Sequence, residues 1–330
     1  MLIGHEWVLE FLRRTLPAGR VHHAYLLTGP AHIGKLTTAF AMAQVLMCPE
    51  RRGCGACRHC SLVQRRIHPD LRMLQLPADR KNIPIKDVHE FMQGIALKPL
   101  EAERKVYVVD SADMLAEDGA NAFLKTLEEP PPAVTLILTA TDPARLLPTV
   151  VSRCQRISLR PVSTLAIQQH LVEALGIEST KAEMVGRASH GLPGWAILAA
   201  GDDDLLNQRE ARASELARLL GASRLERLSY ADELAERWGG HSDQVVSTLE
   251  IWIDTWRDMA RGEAGWTPSP PVPPPAPAPV LRAASSSSHA RDGLLATLGA
   301  LDALRANAHP RLTLENLVLF WPRVGETERG

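Results

Sequence analysis

Two periodicities divide the chain. In its first half, short apolar runs alternate with helix-spaced segments. Residues 1–19 place Trp7, Val8, Phe11, Leu12 and Leu16 on one helical face and Glu6, Glu10, Arg13 and Arg14 elsewhere. This predicts an opening helix, ended at Pro17-Ala18-Gly19. Strands are expected at Tyr25–Leu27, Asp70–Leu76, Lys105–Asp110, Val134–Ala140 and Gln155–Leu159, the last at a sheet edge. Helices are expected from Lys35, over Ile85–Leu97 and over Asp113–Leu127, where Pro130-Pro131-Pro132 forbids continuation. Leu146 to Cys154 is helix-like. Strands separated by helices imply an α/β unit with a parallel sheet.

From Pro161 only the helical period remains. Leu165, Ile167, Leu171, Val172 and Leu175 form one apolar set, and Met184, Val185 and Ala188 another. Gly191-Leu192-Pro193-Gly194-Trp195 opens a further helix, and residues 206–262 read as two or more amphipathic helices. Their stripe of Val245, Val246, Leu249, Trp252, Ile253 and Trp256 suits a core or a subunit interface better than a cofactor site. Residues 267–289, rich in Pro and Ala and then Ser, have almost nothing to bury and are expected to be a disordered or polyproline-like insertion. The helical pattern resumes over 294–319, so the insertion is expected between helices of one C-terminal domain.

The first chemistry sits between the first strand and its helix. Gly29-x-x-x-x-Gly34-Lys35 has the spacing and setting of a P-loop. Such a turn points backbone N–H groups inward, the helix N-terminus adds positive potential, and Lys35 supplies a mobile cation for phosphate oxygens. The next position departs from the pattern. A Ser or Thr hydroxyl that would help to hold magnesium is replaced by Leu36, and Thr37 comes one place later. Asp110, at the end of its strand, is placed to act on nucleotide-bound magnesium, but Ser111 follows it. A seryl hydroxyl is a poor base near neutral pH, so a competent water activator is missing. Thr141 ends the fourth strand and offers a hydroxyl to the same site. His22 and His23 invite a catalytic role, but positioning of the strand or exposure to solvent is the better reading.

Composition adds three bounds. Aromatic residues are only 5% of the 330, which suits a helix-rich protein. The net charge of −1 gives no overall basic bias for autonomous nucleic-acid binding, although Arg51, Arg52, Arg58, Arg65 and Arg66 make one stretch locally basic. No apolar run is long enough to span a bilayer and residues 1–20 lack a signal-peptide core, so a cytoplasmic protein is expected. Four of the five cysteines, Cys48, Cys54, Cys57 and Cys60, lie close together around a segment too polar to build its own core. That spacing predicts a closed, structural zinc site, with free thiols or a disulfide as the competing readings.

His23-Ala24-Tyr25 through Lys35, the four-cysteine insert, Asn121 to Pro131 and Leu147 to Cys154 together resemble the bacterial DNA polymerase III clamp-loader family. Within it, the departures at Leu36 and Ser111 look like its delta-prime type rather than the ATP-hydrolysing gamma/tau type. The resemblance implies an AAA+ P-loop domain over residues 1–160 with the zinc insert at 48–68, an all-α lid at 161–205, and an all-α C-terminal collar at 206–330 carrying the insertion 267–289. It also implies that Arg153, in Ser152-Arg153-Cys154, is an arginine finger acting in trans on a neighbour's ATP. From the residues alone, a surface salt bridge is the better reading of Arg153. Thr141 matches the family's sensor position, and Cys154 reads as packing. In active relatives a lid arginine near Gly194 reaches the nucleotide, and Pro193-Gly194 offers none.

The expectation is therefore a non-hydrolysing clamp-loader subunit of the polymerase holoenzyme, partnered by gamma/tau and delta subunits and, through the assembly, by the sliding clamp and primed DNA. Its own loop, bounded by Gly29, Gly34, Lys35, Thr37, Asp110 and Thr141, is empty or holds ATP or ADP without turnover. Two alternatives are an active ATPase of gamma/tau type and a stand-alone zinc-dependent nucleic-acid-binding protein.

Overall fold

The computed structural model describes residues 2–77, 80, 82–263 and 287–321. They form two compact units, residues 1–200 and 201–330.

In the first unit the elements run α1 (Glu6–Thr15), β1 (Ala24–Thr28), α2 (Lys35–Met47), α3 (Arg58–Gln64), β2 (Leu71–Leu74), α4 (Ile85–Met92), β3 (Lys105–Val109), α5 (Glu117–Glu128), β4 (Val134–Ala140), α6 (Pro148–Val151) and β5 (Gln155–Ser158). Three helices follow: α7 (Thr164–Leu175), α8 (Ser179–Ala188) and α9 (Pro193–Gly201). The five strands are parallel in the order β2-β3-β4-β1-β5, which places β5 at an edge as expected.

The sheet is apolar on both faces because successive strand residues point to opposite sides. Ala24 and Leu26 of β1, Tyr107 and Val109 of β3, and Leu136 and Leu138 of β4 join Phe91, Phe123 and Leu127 under α4 and α5. Tyr25, Leu27, Val106, Val108 and Ile137 join Val8, Leu12, Met42 and Val45 under α1 and α2. Central β1 and β4 therefore have both faces covered, and their C-terminal ends lie side by side, with Thr28 paired to Ala140.

Several expectations shift. Trp7, placed on the buried face of α1, is 51% exposed, while Val8 and Leu12 are buried. The helix expected over 85–97 stops at Met92, and Gly94 turns the chain at φ +70°. The helix expected from Asp113 is a 3-10 turn over Ala112–Met114 followed by α5 from Glu117. Leu146–Cys154 contains only the single turn α6, opened by Pro148. In α7 and α8, Ile167, Leu171 and Val185 are buried, whereas Leu165, Leu175 and Met184 are exposed.

The second unit contains α10 (Asp203–Gly221), α11 (Arg224–Glu263, broken at His241), α12 (Ser287–Arg305) and α13 (Pro310–Phe320). The Val245–Trp256 stripe is core: Leu249, Trp252 and Trp256 are buried against Leu220, Leu301, Leu317 and Trp321. Most of the expected insertion, 267–286, lies outside the described residues. Its last three residues, Ser287–His289, are helical and open α12.

Candidate functional site

The Gly29–Gly34 turn joins β1 to α2 as the spacing predicts. Gly29 has φ +152°, and a Cβ there would lie 2.9 Å from the Leu159 carbonyl oxygen. Gly34 enters the helix at φ +98°, a conformation that favours glycine. The Lys35 ammonium folds back on the loop. Its Nζ donates to the carbonyls of Gly29 (2.8 Å) and Pro30 (2.9 Å) and to Thr141 Oγ1 (3.1 Å). Burial holds the Lys35 ammonium below its usual pKa, while Asp113 and Asp110 pull the other way.

Those two carboxylates complete the cluster. Asp110 Oδ1 accepts from Thr139 Oγ1 at 2.6 Å, and Thr139 Oγ1 in turn accepts from the Ser111 N–H at 2.9 Å. Ser111 itself sits in the left-handed region at φ +54°. Asp113, 5% exposed, accepts the N–H groups of Thr141 and Asp142 through Oδ2, each at 3.1 Å, while its Oδ1 is buried without a hydrogen-bond partner. Asp113 was missed as a site residue; its signal was the Asp110-x-x-Asp113 spacing just past a buried strand. His5 was also missed. It is buried, with Nε2 2.9 Å from the Ile33 carbonyl, and it anchors the N-terminal segment to the loop.

The predicted departures have physical consequences here. Leu36 packs against the apolar core beneath α2. Thr37 is exposed and lies outside the Lys35–Thr141 cluster, and the buried hydroxyl, Thr38 Oγ1, donates to the Gly34 carbonyl at 2.9 Å. At the start of α9, the Gly194 N–H donates to the His32 carbonyl at 2.8 Å, and a Cβ at Gly194 would lie 2.8 Å from that same oxygen. This close seat for α9 admits only glycine without a shift. His22 and His23 stack at 4.3 Å, and His22 Nδ1 contacts the Ala24 carbonyl, in keeping with a positioning role.

Arg153 lies two residues past α6. Its guanidinium pairs with Glu128, the last residue of α5, at 2.8 Å, and donates to the Thr149 carbonyl at 3.0 Å. The Arg153 side chain is 35% exposed and that of Glu128 53%. Cys154 packs against the core, and burial pushes its thiol up to about 12, which fits packing rather than reactivity.

The four cysteines converge as their spacing predicts. All four Sγ atoms lie within 4.8 Å of one another, with Cys48 to Cys54 at 3.7 Å and Cys57 to Cys48 at 4.0 Å. Zn–S bonds of about 2.3 Å in a tetrahedron put sulfurs about 3.8 Å apart. The separations fit that geometry and are far beyond the roughly 2 Å of a disulfide. The N–H groups of Cys57 and Cys60 donate to the sulfurs of Cys54 and Cys57, both at 3.4 Å, which orients two ligands. Burial opposes the Cys48 thiolate, but backbone donors from Cys54, Arg52 and Glu50 outweigh it and bring the thiol down to about 6. Burial pushes the Cys60 thiol up. A cation at the centre would hold both as thiolates.

The basic stretch around the insert is largely matched. Arg51 pairs with Glu103 and Arg58 with Glu101, and Arg66 stacks over Phe40 at 4.5 Å. His59 and His68 meet at 2.8 Å between ring nitrogens, with His68 Nδ1 accepting the Asp70 N–H. Asp70 in turn accepts from the N–H groups of Leu100, Glu101 and Ala102.

A five-stranded parallel sheet, a strand–loop–helix with its lysine, and an acidic strand end facing that lysine define an AAA+ P-loop domain with a four-cysteine insert. A family profile described as "DNA polymerase III, delta subunit" matches residues 4–163. The chain is 33% identical over 168 residues to the DNA polymerase III subunit delta' of Bacillus subtilis, covering 50% of this chain and 50% of that one. It is 34% identical over 181 residues to the subunit tau/gamma of Haemophilus influenzae, covering 54% of this chain and 26% of that one. A DNA polymerase III gamma subunit-related protein of Thermotoga maritima aligns over 94% of this chain and 97% of its own at 16% identity, with a TM-score of 0.40. Over residues 4–163, just under half of its length, the chain is thus similar to the delta', tau and gamma subunits of DNA polymerase III. It spans half or less of the length of these curated relatives.

Proposed function

We propose that this chain is the non-hydrolysing, delta-prime type of clamp-loader subunit, serving a neighbour's ATP site while turning over none of its own. A contrast between two cations carries the reading. Lys35 is drawn into its own loop by two carbonyls and Thr141. Arg153 instead reaches the surface with N–H groups to spare, and a guanidinium is always charged and matched to phosphate oxygens. Around Lys35 the parts that hydrolysis needs are replaced: Leu36 for a magnesium-binding hydroxyl, Ser111 for a base, and Gly194 for a lid cation.

In this reading residues 1–160 are the AAA+ domain, 161–205 the lid and 206–330 a helical collar that joins gamma/tau and delta subunits. The assembly opens the sliding clamp and sets it on primed DNA. The near-neutral chain and its paired arginines suit a subunit whose DNA contacts come mainly through that assembly. Cys48, Cys54, Cys57 and Cys60 would hold one zinc ion, which stabilises the insert and takes no part in nucleotide chemistry.

The test is Arg153→Ala in a complex reconstituted with gamma/tau and delta. It should fold and assemble normally but lower clamp-dependent ATP turnover severalfold. That is less than the roughly thousandfold worth of a finger at a single site, because one of several sites is served. Unchanged turnover removes Arg153 from the mechanism.

One observation favours a second reading, an active ATPase of gamma/tau type: the 34% identity to the tau/gamma relative is no lower than the 33% to the delta' relative. Single-turnover hydrolysis by the isolated chain decides between them. Clear turnover abolished by Lys35→Ala establishes the second.

A further inference from the structure

We infer that Glu128 is a positioning residue for Arg153, holding the guanidinium in its working orientation before a neighbour's nucleotide arrives. This rests on the reading of Arg153 as a finger in trans.

The seat of Glu128 is rigid. It is the last residue of α5, with Leu127 and Phe123 buried in the core beneath it, and Pro130-Pro131-Pro132 fixes where the helix must end. The carboxylate therefore stands at a fixed point while Arg153 follows a helix of a single turn. Two contacts set the guanidinium: Glu128 Oε1 on one terminal nitrogen and the Thr149 carbonyl on the other. A guanidinium carries five N–H donors, so three remain to meet phosphate oxygens while these two contacts persist. Arg153 alone would have many rotamers to lose on engaging a triphosphate, and the two contacts remove most of that loss in advance. Both side chains are accessible at the surface, so an incoming phosphate can reach the held group.

The prediction is specific to rate. In the reconstituted complex, Glu128→Ala should lower kcat by about 1.5- to fivefold, the scale of an exposed ion pair and no more than Arg153→Ala, and leave KM for ATP within about twofold. Glu128→Gln, which keeps an accepting oxygen, should recover most of the rate. The double variant Glu128→Ala/Arg153→Ala should match Arg153→Ala alone, since a positioning residue has nothing left to position. Co-elution with gamma/tau and delta confirms that each variant assembles.

The arms separate the two ideas. If Arg153→Ala lowers turnover but Glu128→Ala does not, the finger stands and Glu128 is an incidental partner. If the losses add, or if Glu128→Ala raises turnover, Glu128 acts otherwise than by positioning and the inference is overturned. No effect of Arg153→Ala removes the finger and this inference together.

Discussion

Arg227 gives a prediction whose size can be worked from the structure. Its side chain is 2% exposed in the second unit and bridges two helix ends. Nε donates to the Leu219 carbonyl (2.8 Å) and one terminal nitrogen to that of Leu220 (2.7 Å), both in the last turn of α10. The other terminal nitrogen donates to Val318 (3.3 Å) and Trp321 (3.0 Å) at the end of α13. Carbonyls at a helix C-terminus lack the usual partner one turn on, and here one guanidinium serves four of them, of which Leu219 also accepts the Ala222 N–H at 3.1 Å. Replacing Arg227 by Ala strips these donors. A buried acceptor without a partner costs about 1–3 kcal/mol, so the other three at the lower bound come to about 3 kcal/mol, partly relieved where water enters the vacated space. Arg227→Lys keeps the charge but not the fork, and should lose about half as much.

Urea unfolding followed by tryptophan fluorescence reads this out, because Trp238, Trp252, Trp256 and Trp321 all lie in the second unit. With a slope of about 2 kcal/mol per molar urea, Arg227→Ala should move that transition down by roughly 1.5 M and Arg227→Lys by about 0.7 M. A shift of under about 0.3 M for Arg227→Ala would refute the argument that the capping bonds, rather than the apolar stripe alone, hold α10 and α13 together.

Two further predictions concern the first unit. Cys57→Ser/Cys60→Ser should abolish stoichiometric zinc and open the insert to trypsin at Arg51, Arg52 and Arg58; unchanged metal content would rule out the assignment. Burial holds His23 and His32 below 6.5, aided by the neighbouring His22 and Lys35 respectively. The unfolded chain therefore takes up these protons first, so the contribution is complete above pH 6.5 and is lost as pH falls through the folded values. The melting temperature of the first unit should drop between pH 7 and 5.5, and a flat profile there would contradict that account.

What was legible in the sequence is what local spacing controls. The P-loop, the start of α2 and the whole of β4 fall where the residues place them, because glycines at fixed separation and an unbroken buried run leave little choice. The four cysteines were equally plain, since short spacings force their sulfurs together. Boundaries set by tertiary contact were not. Trp7 has the right periodicity for burial but stays half exposed, and the segment after Asp110 turns once as a 3-10 helix before α5, where Asp113 accepts the amides of Thr141 and Asp142. Long-range partners were invisible for the same reason. Nothing local links His5 to Ile33, Glu128 to Arg153, or Gly194 to His32.

Those hidden contacts explain why a loop that departs from the P-loop pattern at Leu36 keeps the shape of one that follows it. Five carbonyls of the Gly29–Gly34 turn are engaged: Gly29 and Pro30 by Lys35, His32 by Gly194, Ile33 by His5, and Gly34 by Thr38. The N-terminal segment, α2 and the helix α9 are thereby fastened to a single turn of backbone, and β5 passes close enough that Gly29 has no room for a side chain. Loss of Gly29 or Lys35 would disturb that junction whether or not a nucleotide ever enters it. The positions that depart from an active site carry no such obligation to the loop: Leu36 fills core, Ser111 donates only its N–H, and Gly194 improves the docking of α9 by having no side chain at all. Packing alone can therefore retain Gly29, Gly34 and Lys35, so the motif by itself is weak evidence for hydrolysis, and positions 36, 111 and 194 carry more weight in the proposed reading.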